Sequence, residues 1–293
     1  MTFFEMVTLA AVCVVAQQPA VTCINAPPTT AETTTIIEPN FTGEATDVDL
    51  SAQAALVWDE QTGKVLYEKN ARTQRPIASI SKLLSALSIR QLLPPNQMVV
   101  IPPTVRASQV AGANIRLPIG EHTSVQHLLE AGMIASANDA MVTLAVAAKN
   151  SENDFVDFAN KYAVTLGLNN TKLANSTGLS KAGQYSTAYD VRKMMTLASR
   201  DPVLSPLLSQ ERGVLQTIEG SQRTYKSTDE LLGTYLPILA AKTGYTTEAG
   251  ENLVIITTGN KGQRIGAVIL GSTARFQDMK VLVEWIWRNY TWQ

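Results

Sequence analysis

The chain of 293 residues is poor in the residue types from which most hydrolytic and metal sites are built. It has two histidines, His122 and His127, and two cysteines, Cys13 and Cys23. No G-x-S-x-G stands anywhere in it, which argues against a Ser-His-Asp hydrolase. Two of each give no zinc-ligand spacing, so neither a metal nor another cofactor is expected. Charge is scarce as well: 17% of residues are charged and the net charge is −1. That removes the basic surface by which nucleic acid or an anionic membrane is held. No apolar run approaches the ~20 residues that span a bilayer as a helix. Any hydrolytic chemistry must therefore use a base other than histidine.

Basic residues are missing from the whole N-terminal stretch, the first being Lys64. Met6 to Ala16 (MVTLAAVCVVA) has the length of a signal-peptide apolar region, and Val14-Val15-Ala16 is an acceptable small-residue cleavage site. Its departure is the opening, Met1 to Met6, which carries Glu5 and none of the positive charge usual there. Residues 1–25 are read as a signal peptide plus the first mature residues, with a mature start near Gln17. That places the protein outside the cytoplasm, in the periplasm or cell envelope or secreted. Cys13 would leave with the signal. Cys23 would remain a lone thiol, and Val21-Thr22 before it lacks the small residue of a lipoprotein anchor. Residues 26–48, rich in Thr, Pro and Glu, read as a flexible linker. Residues 49–293 are left as one domain, and a composition 45% apolar is enough for a real core.

Within that domain, 54–58 and 64–67 read as two strands joined by the turn Asp59-Glu-Gln-Thr-Gly63. Helical spacing of apolar residues follows over 77–93, stopped by Pro94-Pro95. The segments 125–134, 139–148, 152–166 and 187–199 are also helical, the last capped by Ser186 or Thr187. The chain then returns to strand over 238–242, 253–258 and 265–270. Gly259-Asn-Lys-Gly262 joins the last two as a hairpin. A helix over 276–290 closes the chain. Two early strands, a helical block, three late strands and a terminal helix give an α+β fold. Its expected form is a five-stranded antiparallel sheet flanked by helices, with a mostly helical subdomain.

Three short motifs occur in order: Ser79-Ile-Ser-Lys82, Ser136-Ala-Asn138 and Lys242-Thr-Gly244. S-x-x-K, S-D-N and K-T-G are the set shared by class A β-lactamases and penicillin-binding proteins. One S-x-x-K is expected by chance in a chain of this length, to order of magnitude, so the joint occurrence is what carries weight. Ser79 and Lys82 are three apart near a helix start, on one face. A serine hydroxyl is a poor nucleophile until a neighbouring base takes its proton. Lys82 can be that base if burial and a second cation, Lys242, disfavour its charged form. Ser136 and Asn138 fall in the break between two apolar helices, where a hydroxyl can relay a proton and a carboxamide can bind an amide. Capping of the following helix suits them too. Lys242 and Thr243 end an apolar strand, where a cation and a hydroxyl match a carboxylate. Gly244 would let a substrate backbone lie close.

The chain resembles the serine-type D-alanyl-D-alanine carboxypeptidases, the low-molecular-mass penicillin-binding proteins, from about Ala54 to Tyr290. Arg75-Pro-Ile-Ala-Ser-Ile-Ser-Lys-Leu83, Ala135-Ser-Ala-Asn-Asp-Ala140, Leu166-Gly-Leu-Asn-Asn-Thr171, Thr177-Gly-Leu179 and Lys242-Thr-Gly-Tyr-Thr246 carry the likeness. The first of these is similar to the D,D-endopeptidase branch as well. The resemblance implies a β-lactamase/transpeptidase-like fold. It implies Ser79 as the acylated nucleophile, Lys82 as its base, Ser136 as proton relay to the leaving amine and Asn138 as a substrate-amide contact. Lys242 and Thr243 would bind the terminal carboxylate, and the backbone N–H groups of Ser79 and Tyr245 would form the oxyanion hole. The implied partners are the peptidoglycan stem peptide and, as covalent inhibitors, β-lactams. The added β domain and amphipathic C-terminal membrane anchor of many relatives are not expected here.

Two other functions compete. A class A β-lactamase needs a carboxylate that activates the deacylating water. No Glu-x-x-Leu-Asn stands between Asn138 and Lys242; Asn175-Ser-Thr-Gly-Leu179 occupies that stretch. A non-catalytic envelope protein that only binds peptidoglycan or β-lactam would not need all the motif residues, and all are present.

Overall fold

The computed structural model describes residues 37–43, 47–109 and 111–293. The signal segment expected over 1–25 and the first part of the expected linker lie outside the described residues. The chain enters with β1 (Pro39–Phe41), followed by the hairpin of β2 (Ala54–Asp59) and β3 (Val65–Lys69). Asp59 shapes the hairpin turn by accepting the Thr62 N–H and hydroxyl, both at 2.7 Å.

A 3-10 turn, Ala78–Ser81, leads into α1 (Lys82–Leu92). A small ribbon of β4 (Met98–Val100) and β5 (His122–Ser124) brackets the one-turn α2 (Val105–Ser108). Then come α3 (Val125–Ile134), α4 (Asn138–Lys149), α5 (Glu152–Thr165) and α6 (Ala188–Ala198). Ser124, Ser151 and Thr187 cap α3, α5 and α6 by accepting the N–H three residues on. Every residue of α1 from Lys82 to Ile89 is buried. A helix buried all round sits inside its bundle, and α1 packs against α3, α4, α5 and α6.

The hairpin of β6 (Arg212–Gln216) and β7 (Gln222–Lys226) leads to the last three long strands. These are β8 (Ile238–Thr246), β9 (Gly250–Thr258) and β10 (Arg264–Ser272), and α7 (Arg275–Asn289) and β11 (Tyr290–Trp292) finish the chain. The main sheet runs β3-β2-β10-β9-β8, each neighbour antiparallel. Leu56, Trp58, Val254, Ile256 and Val268 face the helical block. Ala55, Val57, Leu253, Ile255, Ala267 and Ile269 alternate with them and face Met279, Leu282, Val283 and Ile286 of α7. Burying each such leucine, isoleucine or valine contributes about 1.5–3 kcal/mol. Because both faces are covered, these strands read in the sequence as apolar runs instead of alternations.

The expected five-stranded antiparallel sheet, flanked by helices with a helical block inserted between β3 and β8, is the architecture found. Three details differ. β8 runs on to Thr246, so Lys242-Thr-Gly244 lies inside the strand instead of ending it. Strand order begins within the expected linker: β1 pairs with β11 through Pro39↔Trp292 and Phe41↔Tyr290. Phe41 packs on Tyr290 and Trp285, with ring centroids 5.3 and 6.1 Å away, and a three-residue strand leaves no periodicity to read. The β4–β5 and β6–β7 ribbons are similarly short. No helix among the described residues is long and apolar enough to cross a membrane.

Candidate active site

Ser79 sits in the 3-10 turn and Lys82 opens α1. The Lys82 side chain is fully buried, with Nζ 2.8 Å from Ser79 Oγ. The same nitrogen donates to Asn138 Oδ1 at 2.8 Å and to the Thr177 carbonyl at 2.5 Å. Burial lowers the pKa of Lys82 well below the ordinary lysine value, and the nearby Lys242 lowers it further against the opposing pull of Asp139.

Between α3 and α4 the backbone folds sharply. Ser136 takes φ of +56°, a left-handed conformation rare outside glycine. That bend aims its Oγ at Lys242 Nζ, 2.9 Å away. Asn138 is held from both sides: its N–H donates to the Ala113 carbonyl at 2.8 Å and its Nδ2 to the Ala111 carbonyl at 3.0 Å. Asp139 accepts the N–H groups of Ile115 and Leu117 and so anchors the loop that supplies those carbonyls. One N–H of the Asn138 carboxamide is left for a ligand.

Lys242 is buried beneath the strand. Burial first, and Arg275 second, bring its pKa down to about 7, with Asp229 acting the other way. Thr243 Oγ1 pairs with the Thr228 hydroxyl at 2.5 Å. Gly244 has a packing task that its motif does not name. A Cβ there would lie 2.7 Å from the Ile77 carbonyl oxygen and 3.1 Å from the Ser79 nitrogen. The missing side chain makes room for the turn that carries Ser79. Gly178, at φ +85°, does the same from the other side, since a Cβ there would lie 2.3 Å from the Ala78 carbonyl oxygen. The turn that carries Ser79 is gripped between two glycines.

These groups wall a cleft of about 220 Å³. Ser79, Ser136, Asn138, Thr243, Gly244 and Tyr245 line it, and Lys82 and Lys242 lie beneath. It continues past Tyr245 and Thr246 into an open groove of about 810 Å³. All eight side chains and backbone positions singled out in the sequence are brought together.

A sequence profile of the D-alanyl-D-alanine carboxypeptidase family matches residues 40–274. The chain belongs to this family. It is 32% identical over 233 residues to the D-alanyl-D-alanine carboxypeptidase DacF of Bacillus subtilis, covering 78% of this chain and 60% of that protein. The chain thus spans less than two thirds of that relative. It is also 32% identical over 243 residues to a D-alanyl-D-alanine endopeptidase of Pseudomonas aeruginosa, covering 81% of this chain and 78% of that one. Among solved structures, a Streptomyces DD-transpeptidase superposes with a TM-score of 0.77 at 26% identity, over 83% of this chain and 99% of its own. A D-alanyl-D-alanine carboxypeptidase from Mycobacterium tuberculosis gives 0.75 at 26%, over 84% and 95%.

The cleft of this family member contains groups that the motifs did not name. Arg275 lines it and reaches the Gly244 carbonyl with Nη1 at 3.4 Å, while its Nε is buried without a partner among the described residues. A signal for it existed. Arg275 opens α7, where the helix dipole disfavours a cation, and a residue that breaks a local rule invites a functional explanation. The Thr177 carbonyl is a backbone atom, so no residue type betrays it. Among the described residues that line the cleft there is no Asp or Glu. Glu152 is turned away and accepts the Ser176 N–H and hydroxyl at 2.9 and 2.5 Å.

Proposed function

We propose that the chain is a serine D,D-peptidase that cleaves D-Ala-D-Ala termini, or D-Ala cross-links, of peptidoglycan stem peptides through an ester on Ser79. The observation that carries this is the environment of Lys82 Nζ. A neutral amine has two N–H donors and one lone pair. Nζ donates to three oxygens, Asn138 Oδ1, the Thr177 carbonyl and Ser79 Oγ. Once the amine is neutral, the first two take its two donors and the lone pair is left for the Ser79 hydroxyl. Lys82 is therefore poised to accept the Ser79 proton as Oγ attacks the carbonyl carbon of the penultimate D-Ala. The backbone N–H groups of Ser79 and Tyr245 receive the oxyanion. As the C–N bond breaks, the Ser136 hydroxyl passes a proton to the leaving amine and is resupplied from Lys242. Thr243, Lys242 and Arg275 hold the terminal carboxylate. The proton taken up by Lys82 then passes to Lys242, which gave one up. Neutral Lys82 again serves as base while water hydrolyses the ester, and it returns the water's proton to Ser79 Oγ as the ester bond breaks.

Penicillin carries the same carboxylate and a strained amide, so it acylates Ser79. The absence of a carboxylate among the described cleft-lining residues favours a long-lived adduct over β-lactamase turnover. The reaction takes place outside the cytoplasm, where peptidoglycan lies. Intact mass after incubation with labelled penicillin should rise by one adduct, mapped to Ser79. A Ser79→Ala variant that still takes the label would refute the assignment. Digestion of purified peptidoglycan, with products identified by mass, distinguishes free D-alanine from opened cross-links. A protein that takes the label but releases neither is a binder and not a peptidase.

A further inference from the structure

A second concave region shares no residue with the catalytic cleft or the groove beside it. It lies where β9 turns into β10. β9 ends at Thr258, four residues past Val254, the partner of Lys242. At about 3.3 Å per residue, that is about 13 Å along the strand from the level of Lys242. Two cavities of about 570 and 420 Å³ adjoin there, and Lys261, Gln263 and Trp292 line both.

The first cavity is basic. Arg200, Lys261 and Arg264 line it and are exposed, and none makes an ion pair among the described residues. Two carboxylates share the wall but are committed to neutral donors. Asp59 accepts the Thr62 N–H and hydroxyl, and the Trp292 indole N–H at 2.9 Å. Glu60 accepts the Trp58 indole N–H and the Thr196 hydroxyl. Three cations against two carboxylates leave the cavity with an excess of positive charge.

The second cavity is aromatic. Tyr235, Trp287, Tyr290 and Trp292 line it, with the amides of Asn260 and Gln263 beside them. The Trp287 and Trp292 ring centroids are 5.4 Å apart. The bond to Asp59 fixes Trp292 at the seam between the two cavities. Trp287 lies over Gly259, where a Cβ would come within 3.2 Å of its ring. Glu284, also in this wall, is taken up by the Tyr235 hydroxyl at 2.7 Å and by Arg288 at 3.5 Å.

Held aromatic rings beside amides suit a sugar, whose C–H faces stack on rings and whose hydroxyl and acetamido groups meet amides. Cations across the seam suit a carboxylate carried by that sugar. A simple anion would leave the aromatic cavity unused, and a neutral sugar would leave the basic one unused. We propose that the two cavities form one binding site for a glycan strand of N-acetylated amino-sugars that bears carboxylates. The site goes beyond the peptidase reading, because its ligand contains no D-alanine; it would hold the polymer while the cleft works on the attached peptide.

The probe is a soluble fragment of alternating N-acetylated amino-sugars, stripped of stem peptides so that its lactyl carboxylates are free and no D-alanine remains to enter the cleft. Isothermal titration at low ionic strength measures its binding against two controls, the neutral N-acetylglucosamine tetramer and polyglutamate. The wild-type chain should bind the acidic glycan, the neutral tetramer about 2- to 5-fold more weakly, and polyglutamate more weakly still. Replacing both Lys261→Gln and Arg264→Gln should bring the acidic glycan down to the level of the neutral one. Trp287→Ala should weaken both glycans by about 2- to 10-fold. Thermal unfolding reports that each variant is folded, and the two exposed cations can be removed without opening the core. No glycan binding by the wild type, equal affinity for the neutral tetramer or for polyglutamate, or affinities unchanged in the variants overturns the site and leaves the peptidase reading standing. Failure of penicillin to acylate Ser79 overturns that reading and leaves this site standing.

Discussion

At the scale of single residues, the decisive quantity is the proton on Lys82. Lysine in water is protonated at neutral pH and cannot accept a proton from Ser79. Burial comes first and Lys242 second in lowering the pKa of Lys82 well below 10.5, so a neutral fraction exists at working pH. The sign of the pH dependence follows: acylation by penicillin should rise with pH through the lowered pKa and level off well before pH 10.5. A rate that still climbs tenfold per unit near pH 10 would show that Lys82 has an ordinary pKa. Lys82→Arg should lose about 10²–10⁴ of the acylation rate, because a guanidinium stays protonated; stopped-flow labelling measures it, and near-normal labelling would assign the proton to another group. These side chains were legible in the sequence because their chemistry is in their identity. The Thr177 carbonyl was not, because every residue has one.

At the scale of elements, the site depends on how closely β8 can approach the Ala78–Ser81 turn. Gly244 sets that distance. Gly244→Ala would drive a methyl to 2.7 Å from the Ile77 carbonyl oxygen, and backbone atoms give way only by moving the turn. Displacing Ser79 by a fraction of an ångström from Lys82 should slow acylation by about tenfold to a hundredfold. The cost in stability should be the 1–3 kcal/mol typical of overpacking. Labelling rate and thermal unfolding measured on one preparation separate the two, and wild-type labelling by Gly244→Ala would rule out this constraint. The helices and the long strands were legible as elements because their apolar residues recur over several turns or form sustained runs. The full length of β8 was not. Its second half, Thr243 to Thr246, is written in the hydroxyl and glycine residues of a working cleft, not in the apolar residues of a core. The β1–β11 ribbon escaped for a different reason, since three residues held by Phe41, Tyr290 and Trp285 make an aromatic cluster only after the two ends of the domain have met.

At the scale of the whole molecule, two lysines inside one core oppose folding at neutral pH. Lys242 has no carboxylate within ion-pair distance among the described residues; its recorded partners are the Ser136 hydroxyl and the Thr243 carbonyl. Its pKa is about 7 when folded and near 10.4 when unfolded. Between those values the unfolded chain binds more protons, so this group makes stability rise with pH across the window. Below about pH 7 both states are protonated and the full penalty is present. Lys242→Met replaces the cation with an unbranched side chain of similar length that packs adaptably. It should abolish D-alanine release and yet stabilise the fold by about 1–4 kcal/mol near pH 6.5, as removal of buried charge does elsewhere. Each kcal/mol is about 2–4 °C in Tm for a domain of this size. The advantage should shrink as pH rises and vanish near pH 10.5, where the wild-type lysine is neutral in the fold at little cost. Thermal unfolding of both proteins across that pH range is the measurement. A Lys242→Met protein that melts below wild type at pH 6.5 would mean that the lysine supports the core through Ser136 more than its charge opposes it.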